Sequence, residues 1–414
     1  MSRRWILVGL GALLLGSMVG IESQPVKALP PAGTLILTDA VVSNTDATLE
    51  NTETAGDGET SIAVNPLNPD EIVITAFSGC WTNCGTTNAP LFHSLNGGVT
   101  WTKQFTIPPP PGLTFAGCPC DQTVDFDRQG NLFYSVLVSQ NVVTGFTDDP
   151  ADATRFQWNG NPAQVTDQAG TINPDQPWMI TNPNPANLAV DNVYVGYDDF
   201  TPAVTDTRVS VSQNAAPPNF TIDNDAGDAS TNSGVNPGLR RAGARNNGDM
   251  YVIYQQGNQT GITWRLNRST DGGATWTLNG DANGIVVGTG PSRQGNSLTH
   301  KFGDVNALIG GVDHLAVDPR NGDVLVVYGT AATPATANGN TLFVRRIVND
   351  AGATMTQART THGGGAGSTM YQFSRVIYRE LAADVDVTQA YENFTGGVVM
   401  ALIEHGLCTY ESAN

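Results

Sequence analysis

One eight-residue phrase occurs twice in this chain, as Ser94-Leu-Asn-Gly-Gly-Val-Thr-Trp101 and as Ser269-Thr-Asp-Gly-Gly-Ala-Thr-Trp276. Each copy sets a hydroxyl residue, then Asn or Asp two positions on, then a Gly pair followed shortly by Thr-Trp. The spacing predicts a hairpin turn. The Asx side chain bonds backbone N–H groups of its own loop, and glycine supplies the positive φ that tightens it. Thr-Trp then starts the outgoing strand, with the indole buried against the hairpin. A turn unit used more than once implies a repeat architecture, and that constrains the fold before single residues are weighed.

A second pattern runs between and around the two phrases. An alternating strand ends at Asn/Asp-Pro or Asp-x-x-Gly, and a hydrophobic strand containing Tyr or Phe follows. Thr60–Pro66 leads into Glu71–Thr75, Val124–Gly130 into Leu132–Val136, and Trp178–Pro183 into Asn192–Tyr197. Ala242–Gly248 leads into Met250–Tyr254, and Leu315–Gly322 into Val324–Tyr328. Each pair reads as a two-stranded hairpin. The eight-residue phrases fall where a third strand would turn into a fourth, and Arg208–Asn214 looks like an eroded copy without the Gly pair. Four antiparallel strands per unit, repeated, describe a β-propeller.

The phrase resembles the Asp box of the sialidase superfamily and related propellers, across roughly residues 55 to 350. The expected fold is therefore all-β: a six-bladed, sialidase-like β-propeller of four-stranded antiparallel blades. Five blades are recognisable within residues 29–352. Residues 353–414 form a divergent last blade or an atypical tail, with a weak sixth unit from Arg346 and a helical alternative over Tyr371 to Tyr391. Thr34–Thr38 offers a strand to close the ring. The resemblance places the Asp boxes on the face opposite the functional one, so Asn96, Asp271, Trp101 and Trp276 are read as structural.

Residues 1–28 read as a secretory signal. Arg3 and Arg4 precede an uncharged run from Trp5 to Gly20, and Val26-Lys27-Ala28 offers small residues for cleavage. Ser2–Leu7 also resembles a twin-arginine export motif. The mature chain is expected to be secreted or periplasmic, soluble and monomeric. A net charge of −18 argues against nucleic acid or an anionic membrane as partner. Cys80, Cys84, Cys118, Cys120 and Cys408 are expected to form disulfides in that compartment, and the Cys-Pro-Cys spacing suits a zinc site poorly.

In propellers of this family the loop entering each innermost strand opens on the functional face. Residues at those entries are Glu59, Asp121, Asp175, Arg240, Arg241, Asp313 and His314, with Arg245 nearby. The second strands end on the same face and add Tyr197, Asp198, Asp199, Tyr254 and Tyr328. The resemblance implies sialidase chemistry: three arginines on the sugar carboxylate, a Tyr–Glu nucleophile and an Asp acid/base. This chain departs from that pattern. Glu59-Thr-Ser-Ile-Ala stands where an arginine is wanted, and only Arg241, Arg245 and, further off, Arg293 lie near the predicted funnel. An acidic rim repels an anionic sugar.

A general glycoside hydrolase needs only two carboxylates at a suitable separation. Asp121 and Asp175 are the expected acid/base pair, with Asp175 and Asp198 as the other pairing. Arg241, Arg245, Tyr197, Asp198, Tyr254, Asp313 and His314 are the expected substrate contacts, with Tyr254 as a platform. No cofactor is expected, although the carboxylates suit Ca²⁺. The partner is then a glycan or another extracellular ligand. The competing class is a non-catalytic binding or scaffold propeller whose acidic loops are structural.

Overall fold

A computed structural model of the chain describes residues 42, 58–77, 89–111, 119–138, 141–159, 174–199, 206–213, 216–228, 240–244, 246–258, 261–290, 300–302, 305–307, 313–318, 322–331, 339–347, 355–361, 392–393 and 399–400. All of them belong to one unit, Asp39–Tyr410. The expected signal segment, Thr34–Thr38, Arg245, Arg293, the Tyr371–Tyr391 helix and the other four cysteines lie outside the described residues.

Five four-stranded antiparallel sheets follow one another along the chain, each in sequence order. The first holds β1 (Gly58–Val64), β2 (Ile72–Phe77), β3 (Pro90–Ser94) and β4 (Thr102–Thr106). The second holds β5 (Cys120–Phe126), β6 (Leu132–Val138), β7 (Asn141–Thr147) and β8 (Gln157–Trp158). The third holds β9 (Pro174–Asn184), β10 (Asn187–Asp199), β11 (Asp206–Gln213) and β12 (Phe220–Asp228). The fourth holds β13 (Arg240–Gly243), β14 (Met250–Asn258), β15 (Gly261–Ser269) and β16 (Ile285–Gly290). A short hairpin, β17 (His300–Phe302) with β18 (Val305–Ala307), precedes the fifth sheet, β19 (Asp313–Val317), β20 (Val324–Ala331), β21 (Gly339–Ile347) and β22 (Met355–Thr361). A last hairpin pairs β23 (Glu392–Asn393) with β24 (Val399–Met400). The described helical structure is a single 3₁₀ turn, Ala153–Arg155, and no described helix is long and apolar enough to cross a membrane.

The sheets are arranged as blades. Each first strand packs on the first strand of the next sheet, β1 on β5, β5 on β9, β9 on β13 and β13 on β19. Hydroxyls stitch them together: Ser61 Oγ accepts the Val124 N–H at 3.1 Å, and Thr123 Oγ1 accepts that of Met179 at 3.0 Å. Strand alternation sends successive side chains to opposite neighbours. In β14, Met250, Val252 and Tyr254 join a core with Tyr194, Val209 and Val211 of the third sheet. Tyr251 and Ile253 join Leu315, Val324 and Val326 of the fifth. Separate cores likewise lie between sheets one and two and between sheets two and three.

Two expectations about the tail are corrected. Arg346 does not open a sixth unit; it pairs with Leu325 inside the fifth sheet. That sheet runs past residue 352 because its fourth strand is β22, Met355–Thr361. The composition of residues 353–361 hides this strand, since a solvent-edge strand needs no apolar alternation.

Both eight-residue phrases form the expected turn. Ser94 Oγ accepts the Gly98 N–H at 2.9 Å, Asn96 Oδ1 accepts that of Thr100 at 2.9 Å, and the Trp101 indole donates to the Gly98 carbonyl at 2.9 Å. Ser269 and Asp271 repeat this with Gly273 and Thr275, at 2.8 and 2.9 Å. The Gly97 N–H donates to the Asp70 carbonyl, which puts the turn at the β1–β2 end of its blade. A candidate site at the entries to the first strands is therefore at the other end.

Candidate functional site

At the entry end of the blades the third sheet is the most acidic. β9 begins with Pro174-Asp175, β10 ends with Asp198-Asp199, β11 begins at Asp206 and β12 ends at Asp228. Register sets Asp175 opposite Asp198, Asp199 opposite Asp206, and Asp206 opposite Asp228. Like charges directly opposite one another oppose folding. Three such pairs at one sheet end therefore point to a role other than stability.

Asp121 is the second residue of β5, and β5 packs on β9. It is part-exposed and sits at φ +52 in a bulge between Cys120 and Thr123. Aspartate tolerates this left-handed backbone better than most residues, and a bulge there re-aims the side chain away from the regular alternation. Asp175 is also part-exposed, and a register irregularity separates its pairing from that of Trp178. The two carboxylates thus stand at the same end of two packed first strands. Between them in sequence, the buried Gln122 fixes the base of the loop. Its amide accepts the Tyr134 hydroxyl at 2.8 Å and donates to the Ala76 carbonyl of the first sheet at 2.5 Å.

Other expected site residues lie elsewhere. Asp198 is fully buried, so its carboxylate does not face an incoming sugar, and the Asp175–Asp198 pairing is set aside. Tyr197 is fully buried as well. Its hydroxyl reaches both Asp223 oxygens at 2.9 and 3.0 Å, while Arg208 Nη2 donates to the Asp223 carbonyl at 2.8 Å and its Nε lies 3.4 Å from Oδ1. Burial, and then the Asp223 charge, push the Tyr197 phenol well above its usual range. It is a locked hydrogen-bond donor, not a nucleophile. Nothing in the local sequence announced this trio, because its members come from three different strands.

Tyr254 is not a platform either. Its ring is fully buried over Gly227 of the preceding sheet, and its hydroxyl donates to the Asn283 carbonyl at 2.7 Å. Arg240 and Arg241 do not sit at a strand entry. Register places them opposite Ile253 and Val252, well below the end of β14 at Asn258. Arg241 thereby takes the strand position that Met179, opposite Val195, holds in the third sheet. Asp313 and His314 open β19, opposite Tyr328 and Val327. Glu59 lies on β1.

Cys120 is disulfide-bonded, which agrees with the redox reading and removes it from a thiolate zinc set. Among the described residues no group of three or more His, Cys, Asp or Glu side chains is placed to hold a metal ion. The acidic sheet end therefore offers Ca²⁺ no ready set of ligands there.

No protein-family model and no curated protein matches the sequence. Similar solved structures include the GH93 α-L-arabinofuranosidase of Fusarium graminearum in complex with arabinobiose, 10% identical over 74% of this chain and 93% of that one, with a TM-score of 0.40. The Penicillium chrysogenum α-L-arabinanase complexed with arabinobiose is 11% identical, over 74% and 93%, with a TM-score of 0.39. The Aleuria aurantia lectin, solved with α-methyl-L-fucoside, is 10% identical, over 74% and 78%, with a TM-score of 0.39.

Proposed function

We propose that this chain is an exported, six-bladed propeller that binds an uncharged glycan at the entry end of its first strands, with Asp121 and Asp175 as the central contacts. The observation that carries the reading is the position of these two part-exposed carboxylates at the same end of the packed strands β5 and β9. Carboxylates accept hydrogen bonds from sugar hydroxyls, and such charge-assisted bonds are roughly twice as strong as neutral ones. The surrounding acidic residues disfavour a sialylated ligand. Hydrolysis follows from the same pair if one carboxyl protonates the leaving oxygen while the other acts as base or nucleophile.

The test is a binding and turnover screen of the purified protein on neutral oligosaccharides, sialosides and their fluorogenic glycosides. The reading expects binding to a neutral glycan that weakens about tenfold or more, at least 1.4 kcal/mol, in Asp121→Asn or Asp175→Asn. Preference for sialosides, or neutral-glycan binding that both variants leave intact, overturns it. Turnover lost in both variants makes the protein a hydrolase. Binding without turnover makes it a lectin-like module.

A further inference from the structure

The first sheet carries an apolar face that its counterparts keep covered. Ser61 and Thr123 each accept the N–H of the next blade's first strand, from Val124 and Met179 respectively. Thr123 therefore occupies in β5 the place of Ser61 in β1, so Val124 and Phe126 correspond to Ile62 and Val64. In the second and third sheets this row faces the preceding blade and is buried: Val124 is 6%, Phe126 1%, Met179 3% and Thr181 2% exposed. In β1 the same row is open, with Ile62 at 37% and Val64 at 48%. Its other row, Ser61 and Ala63, is buried toward the second sheet. β1 is thus built as an interior propeller strand with a neighbour on both sides.

We propose that the neighbour is the chain's own residues 362–410, which dock on the Ile62–Val64 face as a closing blade. Three observations favour this occupant. β23, inside that segment, packs against β1. A two-residue strand is too short to cover the row, which leaves the rest of the segment to do so. The segment is as long as residues 58–106, which make the whole first sheet, and it belongs to the same unit as the five described sheets. Burying the row gains apolar contact and removes an open edge that invites association with other chains. The proposal is independent of which ligand the entry end binds.

The test places a photo-crosslinking benzoylphenylalanine at Val64 of the full chain and maps the products by mass spectrometry. Hydrogen exchange is followed in parallel on the wild type and on Ile62→Lys/Val64→Lys. Leu67→Lys, at the exposed turn beyond β1, is the control. The expected results are crosslinks from position 64 into residues 362–410, and protection in that segment that falls at least tenfold in the double variant and not in the control. Crosslinks to residues 39–57 or to a second copy overturn the proposal, as does a segment with no protection in the wild type. The crosslinking arm remains informative if the double lysine variant does not fold.

Discussion

The Asp191 carboxylate receives the Arg128 backbone N–H at 2.8 Å and its Nε at 2.7 Å, joining the third sheet to the second across the propeller. Elsewhere the acid just before a second strand is held within its own sheet. Glu71 meets His93 at 3.0 Å, Asp249 meets Arg268 at 3.8 Å, and Asp323 meets Arg346 at 2.5 Å. Each of these cations immediately precedes the residue that closes the third strand's pairing, and in the third sheet that place holds Val211. The carboxylate there turns to the neighbouring blade instead.

Asp191 has about 1% of its side chain exposed and Arg128 about 32%. Removing the arginine leaves a buried charge with one bond, whereas removing the aspartate leaves a cation that water still reaches. Arg128→Ala is expected to cost about 2–4 kcal/mol and Asp191→Ala about 2–3 kcal/mol. Urea unfolding of both single variants and the double variant gives the coupling, expected above roughly 1 kcal/mol. A coupling near zero would mean the contact does not tie the blades together.

The second Asp box makes a sharper prediction about glycine. Gly273 sits at φ +88, and a methyl group there would meet Val211 Cγ2 at 2.5 Å. Gly280 has a similar φ of +78 with nothing within 4 Å. Gly280→Ala should cost only the left-handed backbone penalty, about 1–2 kcal/mol. Gly273→Ala adds overlap with a core side chain and should cost roughly 1–3 kcal/mol more. Thermal unfolding of the pair measures the difference, and equal losses would place Gly273 outside the tight interface.

The contrast between those glycines shows what the sequence could reveal. Both Asp boxes and all five strand pairs, from Thr60–Thr75 to Leu315–Tyr328, lie where their spacing puts them, because turn chemistry and alternation are local properties. Register is not local. The first strand of the fourth sheet begins at Arg240, so Arg241 falls opposite Val252 and not at a strand mouth. The tyrosines of the second strands read as surface platforms until the neighbouring blade is in place, and Gly227 is what lets Tyr254 lie flat against it. Asp121 was found for its position, but its re-aiming depends on a bulge that no local pattern predicts.

Buried phenols give the protein a distinct alkaline response. Burial raises Tyr134 well above the usual range and pushes Tyr194 up to about 12, and Tyr197 rises further still. A raised pKa means that the folded state holds the proton more tightly than the unfolded state. This contribution is complete below the ordinary phenol pKa of 10 and is lost as pH climbs above it. Ultraviolet titration should show these three phenols ionising only with unfolding. Tyr197→Phe should make the fall in stability above that pH shallower. Early, reversible ionisation of all ten tyrosines would contradict the packing.

Tyr254 allows packing and ligand contact to be told apart. Its ring fills the space above Gly227, where an added Cβ would lie 2.4 Å from Cζ, and its hydroxyl bonds Asn283. Tyr254→Phe keeps the ring and removes one hydrogen bond, so it should cost about 1 kcal/mol of stability. Tyr254→Ala opens a cavity between the third and fourth sheets and should cost about 3–5 kcal/mol. Because the side chain is enclosed, the Phe variant should bind any glycan ligand as the wild type does. A loss of affinity of about fivefold or more, the worth of one hydrogen bond, would return Tyr254 to the binding surface.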